Sequence, residues 1–184
     1  MGDDSRTRRF ERLVMPHLDA AYTLARWLIR NRDDAEDVMQ EAMLRAYKFL
    51  DSCREDTSRQ WVVRIVRNAC YDWLNLASAS RVSAFADLNP DDDDGAGFSA
   101  DAFRGAVETP EDSLARKETR YLVDELVGGL PAEFREIIVL REFEDFSYRE
   151  IAEIAGVPLG TVMSRLSRAR ALLQKEWKER HERS

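Results

Sequence analysis

Apolar residues recur at three- and four-residue steps along much of the chain, which is the pattern of amphipathic helices. A first stripe covers residues 10–29, where Pro16 should kink the helix or mark its early turn. A second stripe covers residues 35–49 after an acidic break at 31–34, and a third covers residues 61–74 after a polar loop. The N-terminal part of the chain is therefore predicted to be helical.

The same periodicity returns towards the end of the chain. Residues 114–126 form a stripe that Gly128 and Gly129 should end, and Pro131 suits the first turn of the helix that follows. We see no alternation of apolar and polar residues that would indicate a strand. The C-terminal part is therefore predicted to be helical as well.

A helix-turn-helix is predicted in the segment FSYREIAEIAGVPLGTVMSRLSRARALL, residues 146–173. Ser147 and Glu150 have the spacing of a capping box, which satisfies backbone N–H groups at the start of a helix. Gly156 can take the positive φ that ends this helix, and a second helix covers residues 161–175. The second helix is basic and has no acidic residue, although the whole chain has a net charge of −7. Together these features indicate DNA binding.

Two helix faces carry the candidate DNA-binding residues. On the basic helix, an arginine can read guanine through two hydrogen bonds, and hydroxyls can contact bases or phosphates. The candidates there are Thr161, Ser164, Arg165, Ser167 and Arg168. On the third helix of the N-terminal part, an outward face beside the polar loop suits phosphates and an unpaired base. The candidates there are Arg64, Arg67 and Asn68.

The composition changes between the two helical parts. Residues 77–112 are rich in acidic side chains, with four consecutive aspartates at 91–94, and carry too little apolar surface to offset the cost of ordering. We therefore expect an all-α fold with two small helical domains, residues 1–76 and 113–184. Each should have its own core, and an acidic flexible linker at 77–112 should join them.

Composition also excludes several classes of function. No apolar run approaches the roughly 20 residues that span a bilayer, and the N-terminus lacks a signal peptide, so we expect a cytoplasmic protein without membrane insertion. Cys53 and Cys70 form no CxxC pair, and imidazole is limited to His17 and His181. With no Gly-rich phosphate loop and no nucleophile elbow, we expect no enzyme activity, no metal and no cofactor. A metal-dependent phosphoryl-transfer enzyme is the rival, but the adjacent aspartates at 91–94 do not converge on one ion.

Three segments, in order, resemble the extracytoplasmic-function (ECF) class of bacterial RNA polymerase sigma factors. RNRDDAEDVMQEAMLRAYKFL is similar to the polymerase-binding helices of that class, and QWVVRIVRNACYDWL is similar to its −10 reading helix. LPAEFREIIVLREFEDFSYREIAEIAGVPLGTVMSRLSRARALL is similar to its −35 module. The resemblance implies a sigma region 2-like domain followed by a sigma region 4-like helix-turn-helix domain.

The resemblance also implies partners. Asp37, Gln40 and Glu41 lie within one helical turn and present hydrogen-bond acceptors, and by similarity they contact the β′ coiled coil of core RNA polymerase. The two DNA-binding faces would then serve promoter DNA, one at the melted −10 element and the other at the −35 duplex. Members of this class are commonly held inactive by an anti-sigma factor, so the resemblance also implies such a partner. The linker either threads the channels of the polymerase or is a soluble tether.

An ordinary helix-turn-helix regulator is the alternative within DNA binding. Such a protein would bind a palindrome as a dimer, independently of polymerase, and the N-terminal domain would be a sensor. Stoichiometry separates the two hypotheses, since a sigma factor joins polymerase one to one and binds promoter DNA poorly alone.

Overall fold

The computed structural model describes the backbone at residues 2–84 and 121–182, and within those ranges the chain is helical with no strand. The N-terminal module consists of α1 (Gly2–Leu13), α2 (Leu18–Ile29), α3 (Arg32–Lys48) and α4 (Ser58–Ala84). The C-terminal module consists of α5 (residues 121–128), α6 (Ala132–Ile138), α7 (Tyr148–Ala155) and α8 (Leu159–Glu182). The prediction of an all-α fold with two helical domains is confirmed.

Proline and capping residues set the breaks in the N-terminal module. Pro16 lies in a 3-10 turn, Met15–His17, which divides the first predicted stripe into α1 and α2. At the end of α2, Arg30 takes a left-handed φ of 66°. The Asn31 side chain then accepts a hydrogen bond from the Asp34 N–H at 3.1 Å, which begins α3. α2 packs on α3 and α4 around Leu24, Leu28, Val38, Val62 and Val66.

α4 is longer than its apolar stripe suggests. It begins at Ser58 rather than at Trp61, and it continues to Ala84, past residue 77, where the linker was predicted to begin. The reason is that small and helix-compatible residues such as Ala77 and Ala79 allow the helix to continue without an apolar face. The remainder of the predicted linker, including the aspartates at 91–94, lies outside the described residues.

The helix-turn-helix forms as predicted in the C-terminal module. The Ser147 hydroxyl accepts from the Glu150 N–H (3.3 Å), and the Glu150 carboxylate accepts from the Ser147 N–H (2.7 Å), so the capping box is complete. Gly156 ends α7 at a φ of 66°. α8 then packs on α6 and α7 through Val162, Leu166 and Ala169, which are buried. The opposite face of α8 is left exposed.

The two modules pack against each other. α2 packs on α6 and α4 packs on α7, and the buried side chains of both modules form one continuous cluster. The Trp27 and Phe143 rings, one from each module, lie 5.3 Å apart between centroids. The expectation that each module has its own separate core is therefore wrong. Sequence periodicity defines the apolar face of each helix, but it does not show which helix of a distant segment covers that face.

Candidate nucleic-acid interface

The basic helix α8 presents the residues predicted to read duplex DNA on its outer face. Ser164, Ser167 and Arg168 are exposed, and Thr161 and Arg165 are partly covered. The Ser164 hydroxyl donates to the Thr161 carbonyl at 3.0 Å, a local hydrogen bond that a DNA acceptor could replace. The structure thus brings these five residues together along one side of a single helix.

Arg165 differs from Arg168 in its surroundings. Its side chain is 22% exposed, and its Nη2 lies 3.4 Å from Oε2 of Glu133 in α6. Arg168 is exposed to solvent on the adjacent turn. Arg168 is therefore open to a ligand, whereas Arg165 would have to give up a carboxylate partner to bind one.

The predicted face of α4 is divided by the contact with the C-terminal module. Arg64 and Asn68 are exposed, but the Arg67 side chain is only 18% exposed. Arg67 donates from Nε and Nη2 to the Glu136 carboxylate at 2.5 and 3.4 Å, and the Tyr71 hydroxyl donates to the same carboxylate at 2.8 Å. The expectation that Arg67 shares an outward face with Arg64 and Asn68 is corrected by α6, which covers it.

Burial and the charge of Glu136 fix the protonation states of Arg67 and Tyr71. Burial alone acts to lower the pKa of Arg67, but the hydrogen bond and charge of Glu136 outweigh it and raise the pKa above its ordinary value. Burial, together with the charge and hydrogen bond of Glu136, also raises the pKa of Tyr71. Arg67 therefore stays charged and the Tyr71 phenol stays a donor, so Glu136 accepts from both.

The sequence pattern did not indicate that Arg59, Gln60 and Glu136 would join the two modules. Arg59 donates to the Glu144 carbonyl at 2.6 Å, and Gln60 donates to the Glu150 carboxylate at 2.9 Å. The hydrogen bond from Gln60 is the foremost cause that lowers the pKa of Glu150. The one available signal was Glu136 itself, which with Arg135 lies between Phe134 and the apolar run at 137–140. Its burial could have been suspected from that run, but its partners could not.

The predicted polymerase-binding residues stand together on α3. Asp37, Gln40 and Glu41 are all exposed, and Glu41 also accepts from Arg45 at 3.0 Å. Leu44, one turn further along the same face, is 69% exposed, which sequence analysis did not single out. Asp37, Gln40, Glu41 and Leu44 therefore form one exposed surface that carries hydrogen-bond acceptors and an apolar side chain.

The described residues offer little support for a reactive cysteine, a metal site or a membrane span. Cys53 and Cys70 are free and buried, and burial, with a smaller effect of Glu136, raises the pKa of Cys70 to about 12. These thiols are consequently inert rather than reactive. Among residues 2–84 and 121–182, no group of His, Cys, Asp and Glu is arranged to hold a metal ion. Over the same residues, the helices are all too short or too polar to cross a membrane.

Both modules match known family regions. Residues 13–79 match the family described as Sigma-70 region 2, and residues 120–173 match the family described as Sigma-70, region 4. The RNA polymerase sigma-H factor of Pseudomonas aeruginosa is 32% identical over 91% of this chain and 86% of its own length. The ECF RNA polymerase sigma factor SigE of Mycolicibacterium smegmatis is 33% identical over 94% of this chain and 63% of its own length.

Solved structures agree with these matches. The Bartonella quintana sigma factor RpoE, solved with the anti-sigma factor NepR, has a TM-score of 0.72 and 25% identity over 92% of this chain and 96% of its own. CnrH, solved with the cytosolic domain of CnrY, has a TM-score of 0.61 and 24% identity over 94% of this chain and 90% of its own, which supports the fold alone. The chain belongs to the sigma-70 family, within the ECF class of RNA polymerase sigma factors. It is thus a transcription initiation factor.

Proposed function

We propose that this sigma factor binds core RNA polymerase through α3, places α8 on the −35 duplex and captures the melted −10 strand with α4. The observation that carries the proposal is the outer face of α8. A capped helix-turn-helix supports this helix, and Ser164, Ser167 and Arg168 extend from it into solvent. Reading a major groove requires an exposed helix face of this kind.

The proposed polymerase contact uses the exposed face of α3. Asp37, Gln40 and Glu41 offer acceptors, and Leu44 offers an apolar anchor beside them. By similarity to the family, the partner is the coiled coil of the β′ subunit. An apolar residue surrounded by polar ones is the usual arrangement of an energetically important contact, because the rim excludes water from the anchor.

The proposed −10 contact uses the N-terminal half of α4. Arg64 is exposed and suits a phosphate, and Asn68 is exposed and can both donate to and accept from a base edge. Arg67 completes this face once Glu136 has left it. We therefore expect α4 to bind the −10 strand when the two modules are apart.

We also propose an anti-sigma partner for this chain. The support is the resemblance to RpoE of Bartonella quintana, which was solved with the anti-sigma factor NepR. Purification of the chain from its native cell tests this proposal. The anti-sigma factor should co-purify with the fraction of the chain that is not bound to polymerase.

Charge reversal on α3 tests the proposed function. Asp37→Arg with Glu41→Arg should abolish association with core polymerase and leave the fold intact, because both side chains are exposed. The control is Glu11→Arg with Asp19→Arg, which makes the same charge change at exposed positions of α1 and α2. Co-sedimentation with core polymerase measures the effect. If the α3 variant assembles holoenzyme as well as the control does, the assigned surface is wrong.

A further inference from the structure

Two large apolar side chains stand in solvent at the start of α8, the helix to which the proposed function assigns the −35 duplex. Leu159, the first residue of the helix, is 42% exposed, and Met163, one turn later, is 53% exposed. Met163 directly precedes Ser164 and lies one turn before Ser167, and both serines are exposed. An apolar side chain is therefore part of the outer face of α8.

The core of the C-terminal module does not include Met163. Val162, Leu166 and Ala169 form the buried side of α8, and none of them is more than 1% exposed. Met163 lies outside this stripe, so a polar side chain at its position would leave the core as it is. Packing within the described residues consequently gives no reason for a methionine there.

The outer face of α8 changes from apolar to basic around the helix. Met163 stands at one edge, Ser167 and Ser164 follow, and Arg168 stands at the other edge. The serine hydroxyls and the guanidinium can hydrogen-bond to base edges, whereas Met163 has no donor and only a weakly accepting sulfur. One edge of the face therefore suits an apolar group on DNA rather than a donor or an acceptor.

Gly160 keeps this edge open to an approaching duplex. Its backbone belongs to the regular helix, and a Cβ added there would meet no side chain of the described residues within 4 Å. Neither the backbone conformation nor crowding thus requires glycine, which is a poor helix former. The missing side chain leaves bare backbone one turn before Met163 and Ser164, which allows a ligand to come close to the helix.

The major groove offers one apolar group on a base edge, the C5 methyl of thymine, among donors and acceptors. Contact between this methyl and Met163 removes apolar surface of both groups from water, which is favourable. The flexible and polarisable thioether side chain can adapt to the position of the methyl. Guanine, in contrast, needs a donor that Met163 lacks.

We propose that Met163 is a specificity-determining residue that selects a thymine in the −35 element through the C5 methyl of the base, with Leu159 extending the same apolar edge. The inference rests on the proposed function of α8 as the helix that reads the −35 duplex. It adds which base one edge of this helix selects and which atoms make the contact. The thymine is a different base from the one that Arg168 contacts, because the two side chains stand at opposite edges of the face.

Replacement of thymine by deoxyuridine tests the proposal, because the two nucleotides differ only by the C5 methyl. Holoenzyme assembled from core polymerase and the full-length chain is bound to synthetic promoter duplexes in which each thymine on either strand of the −35 element is replaced in turn. Wild-type holoenzyme should lose affinity roughly three- to tenfold at one thymine at least, which is the effect of exposing one buried methyl group. Unchanged affinity at every position would overturn the proposal.

Met163→Ala shows whether Met163 makes that contact. The side chain is exposed, so its truncation should leave the fold intact. The variant holoenzyme should bind the thymine duplex roughly three- to tenfold more weakly than wild type and should not distinguish thymine from deoxyuridine at that position. If deoxyuridine weakens binding of Met163→Ala as much as it weakens binding of wild type, another residue contacts the methyl and the proposal is wrong.

Two further substitutions at Met163 separate a contact with the methyl from a structural effect. Met163→Leu keeps an apolar side chain and should retain most of the difference between thymine and deoxyuridine. Met163→Gln has nearly the same length but is polar, so it should lose that difference. Equal behaviour of the two variants would contradict the proposal.

Leu172→Ala is the matched control. Leu172 is a 37% exposed apolar residue further along the same helix, beyond the N-terminal part that enters a groove. This variant should show the full effect of deoxyuridine. Loss of the effect in Leu172→Ala as well would mean that the preference does not come from Met163.

Arg168→Ala separates this inference from the proposed function. If wild-type holoenzyme binds all −35 sequences equally and Arg168→Ala binds them as wild type does, the proposed role of α8 is wrong. If Arg168→Ala weakens binding to the −35 element while the effect of deoxyuridine does not depend on Met163, only the inference about thymine is wrong.

Discussion

Arg165 and Arg168, one turn apart on α8, meet different conditions before DNA arrives. Arg168 is exposed, whereas Arg165 is largely covered and lies 3.4 Å from Glu133. For Arg165, a contact with DNA replaces an existing ion pair, so part of its binding free energy offsets the loss of that pair. The two residues are therefore expected to contribute unequally, although the sequence presents them as equivalent.

Alanine substitutions test this difference. Arg165→Ala and Arg168→Ala should each weaken −35-dependent transcription by roughly 1–3 kcal/mol if the contact reads a base, with Arg168→Ala the larger effect. A phosphate contact would instead lower affinity about equally on all sequences and reduce the salt dependence by about one unit of slope. Transcription from a series of −35 variants, at several salt concentrations, measures both quantities. If neither substitution changes transcription on any of them, α8 is not the reading helix.

At the scale of single elements, the start of α7 shows how local chemistry positions α8, the helix that we propose reads DNA. Ser147 and Glu150 satisfy each other's backbone N–H groups, and Gly156 turns the chain towards α8. α7 has only eight residues, so it is too short to be stable without its caps and its packing on α8. The geometry of the helix-turn-helix consequently depends on this capping box together with the packing of α7 on α8.

A pair of substitutions at Ser147 tests this dependence. Ser147→Ala should lower the free energy of unfolding by about 1 kcal/mol, because it removes the acceptor for the Glu150 N–H. Ser147→Asp should retain most of the stability, because aspartate is an equally good acceptor at the start of a helix. Urea unfolding of the full-length chain measures both. Equal losses for the two variants would show that the hydroxyl does not act as a cap.

Local signals explain what could be predicted from the sequence. The capping box, the turn at Gly156 and the apolar stripes of α2, α3 and α4 depend on residues within a few positions of one another, so a sequence displays them directly. The exposed set on α3 and the outer face of α8 follow from helical spacing in the same way. The end of α4 at Ala84 did not follow, because alanine-rich helix carries no apolar stripe.

At the scale of the whole molecule, the main difference from the sequence prediction is the packing of the modules into one core. Arg67 has the spacing of an exposed residue on α4, but Glu136 of α6 lies against it and pairs with it. Glu136 and its partners are separated by more than sixty residues, and no periodicity records such a pairing. The sequence therefore predicted each helix face, whereas only the structure shows that α6 covers Arg67 on the predicted DNA-binding face of α4.

We propose that this chain directs transcription from specific promoters as a subunit of RNA polymerase. Transcription with purified core polymerase, purified chain and a library of randomised promoters tests this claim most directly. We expect a one-to-one complex, and transcripts from templates that share two short elements at a fixed spacing, with the downstream element melted. If the chain alone binds a palindrome as a dimer and core polymerase with the chain starts no new transcripts, the account is contradicted.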